Sequence, residues 1–134
     1  MPAVPAGDAI GIDMAGLAIG DGLLDITSYA LNGLSRRSEV RANNVANAAT
    51  PEFLASTVDF ETALRSKIDD RDFDAMADRD HAVMLADGFI DERGNSVDLE
   101  KESTDLVQDN LLFQAVINGF NYKVGVLRTA MGNA

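Results

Sequence analysis

Along the last third of the chain, Leu99, Leu106, Phe113, Phe120 and Leu127 recur every seven residues, with Ser103, Asn110, Ile117, Val124 and Met131 four positions after each. An interval of seven split into four and three puts both sets on one face of an α-helix. The pattern predicts a helix over 98–131 whose seam is polar at its start and apolar afterwards. Asp98 suits the N-cap, and Glu100 and Glu102 place negative charge in the first turn, where the helix dipole favours it. At 1.5 Å per residue this helix is about 50 Å long.

A weaker seam of the same period joins Leu24, Leu31, Ser38 and Val45, accompanied by Thr27, Leu34, Arg41 and Ala48. It predicts a helix over 22–50, ended by Thr50-Pro51, because the residue before a proline is pushed out of the α region. Residues 51–97 are expected to hold a short helix, capped by Asp59 and carrying Phe60, Leu64 and Ile68, followed by an acidic loop with turns at Gly88 and Gly94. Gly7, Gly11, Gly16 and Gly20 punctuate the first 21 residues, and Asp8, Asp13 and Asp21 interrupt their apolar run. That stretch is expected as a flexible leader, unsuited to spanning a membrane.

These elements predict a mostly α fold: long N- and C-terminal helices pairing as an antiparallel coiled-coil-like hairpin, with an irregular acidic middle segment. The helices 22–50 and 98–131 would form one discontinuous domain, with 51–97 as an outer excursion. Such a hairpin buries little beyond its mutual seam, so Leu111, Leu112, Val116 and Val126 would need partners outside it. Self-association is the expectation.

Composition narrows the function. The chain has 134 residues, room for one domain, and its 46% hydrophobic and 25% charged content is that of a globular protein. It has 22 acidic against 11 basic residues, a balance that repels nucleic-acid phosphates and anionic membrane surfaces. Nine acidic and three basic residues lie between Asp69 and Asn95. With no cysteine and a single histidine, His81, thiolate zinc sites, cysteine nucleophiles and multi-histidine centres are excluded. No secretory signal peptide is expected, since the first basic residue is Arg36.

The run from Asp70 to Asp74 resembles the start of a calcium loop, but Ala75 and His81 stand where such a loop needs Gly and Glu. Asp80 beside His81 could act as a base, yet no nucleophile motif accompanies the pair. The chain is therefore expected to be no enzyme and to carry no metal and no cofactor.

Arg41-Ala42-Asn43-Asn44-Val45-Ala46-Asn47 is less ordinary, because three asparagines compete with the helix for backbone hydrogen bonds. With alanines around them, Asn43, Asn44 and Asn47 could bond a neighbouring helix or the chain's own loop; equally, they could mark a fraying helix end.

The stretch from Ala42 to Pro51 closely resembles the N-terminal signature of bacterial flagellar rod, hook and hook-associated proteins. Residues 94–102, together with Asn110-Leu111-Leu112-Phe113-Gln114-Ala115 and Leu127-Arg128-Thr129-Ala130, resemble the C-terminal helix of a rod subunit in that family. The family pattern has Gly and then an aromatic after Thr-Pro; here Glu52 precedes Phe53. The resemblance implies a structural subunit of the proximal rod that assembles helically through its terminal helices, transmits torque and surrounds the export channel. Implied partners are copies of itself, other flagellar rod proteins, the rod-base adaptor protein and the export apparatus, with no nucleic acid and no direct membrane span. The implied location is the periplasmic rod of the flagellar basal body, reached by type III export without a cleaved signal peptide. Its expected assembly interface comprises Asn43, Asn44, Asn47, Leu24, Leu31, Leu34 and Val45 from the first helix, with Leu106, Phe113, Ile117, Phe120, Val124 and Leu127 from the last. The alternative is a soluble acidic coiled-coil adaptor or chaperone of a secretion system.

Overall fold

The computed structural model describes residues 3–77 and 81–132, with 3–21 described through the backbone alone. Three helices carry the fold: α1 over Ala3–Ala46, α2 over Phe60–Asp69 and α3 over Leu99–Gly132. Between α2 and α3 lies a 3-10 turn, Asp74–Ala77. Two short strands, β1 (Ser56–Thr57) and β2 (Met84–Leu85), pair antiparallel with Ser56 opposite Leu85 and Thr57 opposite Met84. The long helices are antiparallel: Arg37 of α1 meets Asp109 of α3, while Arg41, one turn on, reaches back to Glu102 and Asp105.

Helix signals act as their chemistry predicts. The Asp59 carboxylate accepts the Thr62 amide at 3.2 Å and caps α2. Asp98 accepts from the Lys101 amide at 3.0 Å and opens α3. The α-helical part of α1 closes at Ala46, and the Ala48 and Thr50 amides then bond the Val45 and Asn47 carbonyls in tighter turns that lead to Pro51. Its start differs from expectation. Backbone helix begins at Ala3 and covers the segment read as a leader. Each glycine costs a helix only about 1 kcal/mol, while the costly nucleation step is already met by the packed residues downstream.

The core lies where Tyr29, Ala30, Leu34 and Val40 of α1 meet Val58, Phe60 and Met76, with Phe113 and Val116 of α3 packed against them. The middle segment is therefore no outer excursion, since it contributes Ala55, Val58, Phe60, Met76 and His81 to the interior. Val116, expected to need an external partner, packs within its own chain. Gly33 makes this arrangement possible. A Cβ there would lie 2.3 Å from Phe60 Cγ, so the ring rests directly on the α1 backbone. His81 is 6% exposed and packs edge-on to Tyr29 at 4.5 Å between ring centroids, a structural aromatic contact. Asp80, its sequence neighbour, lies outside the described residues.

Candidate functional site

The asparagine-rich end of α1 folds back on the chain's own loop. Asn44 is 0% exposed; its Nδ2 donates to the Ser56 carbonyl at 2.8 Å and its Oδ1 accepts the Ser56 amide at 3.0 Å. One side chain thus serves β1 as a neighbouring strand would. Asn47 Nδ2 donates to the Asn43 carbonyl at 2.8 Å, and Asn47 Oδ1 accepts the Thr50 hydroxyl at 3.1 Å. Asn43 is exposed.

The segment leading into α3 closes the same junction from the other side. Asn95, 2% exposed, donates through Nδ2 to the carbonyls of Asn47 at 2.9 Å and Thr50 at 2.7 Å. Both carbonyls lie in the turn that follows α1 and already accept a backbone amide, so Asn95 adds a second bond to each and ties the turn to the approach to α3. Ser96 Oγ accepts the Ala55 amide at 2.8 Å, the Ser96 amide donates to the Phe53 carbonyl at 3.1 Å, and the Glu52 amide donates to the Arg93 carbonyl at 2.9 Å. The Asn95 amide, followed by the Arg93 side chain and amide, hydrogen-bonds the Asp91 carboxylate and holds its pKa below the ordinary value. Glu52 takes φ +62° against Gly94 at φ +77°, so the position that the family pattern gives to glycine keeps a left-handed backbone without one.

An ion-pair cluster clamps the two long helices. Arg37 donates through Nε and Nη2 to both oxygens of Asp109, at 3.1 and 2.7 Å, and through Nη1 to Glu61 of α2 at 2.6 Å. Arg41 Nε donates to Asp109 at 2.8 Å, and its Nη1 lies 3.2 Å from Asp105 and 3.4 Å from Glu102. Burial works against the Arg37 charge, but its hydrogen bonds to Asp109 and Glu61 outweigh that and raise its pKa. The Lys101 hydrogen bond, with Arg41 nearby, lowers the pKa of Asp105. A cleft of about 550 Å³ opens beside the cluster, between the 86–89 loop and the start of α3. Arg41, Lys101 and Glu102 in its wall are already committed to these pairs.

The apolar seam residues divide. Leu34 is 1% exposed, Phe113 packs on the core, and Leu24 is 51% exposed. Leu31, Val45, Leu106, Ile117, Phe120, Val124 and Leu127 are half-buried. In the first half of α3 the expected face is turned by one residue: Ser103 and Asn110 point outward, while Glu102 and Asp109 are buried.

No family model matches the chain. Curated proteins do. The chain is 32% identical over 113 residues to flagellar basal body rod protein FlgB of Bacillus subtilis (strain 168), covering 75% of this chain and 88% of that protein. It is 30% identical over 125 residues to FlgB of Aeromonas hydrophila, covering 84% and 95%. A third FlgB, from Borreliella burgdorferi, is 26% identical over 114 residues. The chain belongs to the FlgB family of flagellar basal body rod proteins. Membership makes it a structural protein of the flagellar rod and not an enzyme.

For a member of this family, the structure adds residues that pattern reading missed: Arg37, Glu61, Asp105, Asp109, Asn95 and Ser96. Signals for some of them were present. Arg37 and Arg41 are four apart, as are Asp105 and Asp109, and Arg41 occupied a seam position with no apolar reason to be there. Asn95 and Ser96 stood inside the second signature, where they read as a helix approach. Nothing local announces that they bond residues more than forty positions earlier. Among the described residues, no helix is long and apolar enough to cross a membrane.

Proposed function

We propose that this chain is a subunit of the proximal rod, assembling helically through α1 and α3 with copies of itself and with other rod proteins, so that the assembly transmits torque and surrounds the export channel. The observation that supports this reading is the apolar face that α3 leaves uncovered along its length. The Arg37–Arg41 cluster and the core hold one side of the helix, whereas the other leaves Val107 59%, Leu111 66%, Tyr122 71% and Val126 49% exposed. A helix continuing to Gly132 with that much open apolar surface, and with Gly119 and Gly125 in it, is suited to being completed by neighbours.

On this reading the assembly surface consists of Leu24, Asn43, Asn47 and the distal residues Ile117, Phe120, Val124 and Leu127. Leu34, Asn44 and Phe113 belong to the subunit's own fold. The adaptor protein at the rod base and the export apparatus complete the partners. The route is type III export without a cleaved signal peptide, ending in the periplasm. Mass spectrometry of purified hook–basal bodies tests this: the chain should be present beside the other rod proteins. Finding it free in the cytoplasm and absent from basal bodies would support a soluble adaptor instead.

A further inference from the structure

We propose that the loop 83–90 of one copy docks on the distal stripe of α3 of a second copy, with Phe89 as the inserted side chain. The loop exposes Val83, Met84, Leu85, Phe89 and Ile90, Phe89 to 86%. Five exposed apolar residues within eight positions are an unusual concentration on a small domain and fit an interaction site. The face that fits it is on α3. Tyr122, Val126 and Thr129 follow one another at helical spacing, and beside them Gly125 has no heavy atom within 4 Å of where a side chain would begin. Together with Asn121 and Ala130 they form a shallow, mainly apolar face on the outer side of α3, dipping at Gly125.

Charge selects this pairing over others. After Asp109 the chain has no acidic residue, and its two basic residues there, Lys123 and Arg128, flank the stripe on either side. The loop carries the opposite sign: Asp87 and Glu92 are exposed beside Phe89 and Ile90, within the stretch where nine acidic residues face three basic ones. Among the described residues neither Lys123 nor Arg128 is in a salt bridge with the rest of the chain. A positive apolar face and a negative apolar face on the same chain are complementary to each other and repel their own kind.

The two faces cannot meet within one copy. The loop lies beside Leu99 at the start of α3, and the unbroken helix from Leu99 to Tyr122 separates them by about 35 Å at 1.5 Å per residue. The occupant is therefore a second copy, and the contact joins unlike patches. A head-to-tail contact of this kind propagates into an open assembly unless its rotation closes a ring. This goes beyond the rod reading, because it assigns which surface meets which and stands on self-association alone.

The chain has no cysteine, so single-cysteine variants report the contact cleanly. Gly88→Cys and Ala130→Cys chains, which keep Phe89 and the stripe intact, are purified separately, mixed in concentrated solution and oxidised with diamide. The expected result is a mixed Gly88→Cys/Ala130→Cys disulfide dimer at least fivefold in excess of either homodimer. The excess should fall when salt is raised to about 1 M, where the Debye length shrinks to about 3 Å. Gly125→Leu in the Ala130→Cys chain should abolish it while leaving the helical circular dichroism unchanged or stronger, since leucine is the better helix former. Homodimers as abundant as the mixed dimer, or a mixed dimer indifferent to Gly125→Leu, would overturn the proposal. The readout uses purified protein alone, so failure here is separable from absence of the chain in basal bodies.

Discussion

Replacing Asn44 by alanine separates a folding role from an assembly role for the asparagine cluster. The Asn44 side chain is 0% exposed and bonds both the amide and the carbonyl of Ser56. β2 offers these groups no substitute, because the adjoining bond between the strands runs from the Ala86 amide to the Ala55 carbonyl. Each backbone group left buried without a partner costs about 1–3 kcal/mol, so Asn44→Ala should lose about 2–4 kcal/mol after partial relief by entering water. Against a total of roughly 5–15 kcal/mol for a domain, that is a large fraction. Asn43→Ala is the control. Asn43 is exposed, its side chain accepts one bond at 3.2 Å, and alanine improves helix propensity, so the net change should stay within about 0.5 kcal/mol. Urea unfolding of both variants at pH 7, followed by circular dichroism, measures the difference as a shift in midpoint at unchanged slope. Equal midpoints for Asn44→Ala and Asn43→Ala would refute the reasoning and return Asn44 to the assembly surface.

Three further outcomes follow from the geometry. Gly33→Ala should destabilise by about 1–3 kcal/mol despite the better helix former, because the new methyl would sit 2.3 Å from Phe60 Cγ; the same unfolding assay reads it. Glu52→Gly should stabilise by up to about 1 kcal/mol, read as a higher midpoint, since φ +62° strains any residue with a Cβ more than it strains glycine. Stability should fall with acid. Hydrogen bonds from Thr62, Asn95 and Lys101 lower the pKa values of Asp59, Asp91 and Asp105 respectively, so their contribution is complete above the ordinary Asp value of about 4 and is lost as pH falls through the lower folded values. A thermal midpoint that is flat from about pH 7 to 5 and drops below about 4, with a smaller drop in Asp105→Asn, would bear this out.

Much of this fold was legible because the signals were local. Asp59 and Asp98 announce helix starts through carboxylates that can reach amides three residues on, and Pro51 announces a stop. The antiparallel pairing followed from two seams of equal period. What the pattern concealed was the identity of the buried face. On α1 that face includes Ala30, Gly33, Leu34, Arg37, Val40 and Asn44, a stripe in which size and hydrogen bonding replace hydrophobicity. A reading by apolar period weights Leu24 and Leu31 over Gly33 and Arg37, and so turns the helix away from its true contact. The middle segment was misplaced for a related reason. Its Asp-rich composition hid Val58 and Met76, each 1% exposed, because sparse anchors carry no period. The junction of Asn44 with Ser56 and of Asn95 with Thr50 depends on pairings across the chain, which no single segment encodes.

The ion cluster answers a question that an apolar seam leaves open, namely how two long helices choose their register. A seven-residue repeat matches itself again after every seven-residue slip, at the loss of only a few contacts. The Arg37–Asp109 fork restricts this in one direction. A seven-residue slip of α3 that carries Asp109 opposite Asn44 would put Val116 in its place against Arg37, whose side chain is 10% exposed, whereas the opposite slip would bring Glu102 there. Removing one partner from a buried pair costs about 3–5 kcal/mol, far more than a lost leucine contact at a half-exposed seam. Glu61 then ties α2 to the same arginine, so the register of the long helices and the seating of Phe60 on Gly33 are set together. The first half of α3 is thereby fixed by charge, while beyond it Val116 still packs on the core and Tyr122, Val126 and Met131 stay exposed.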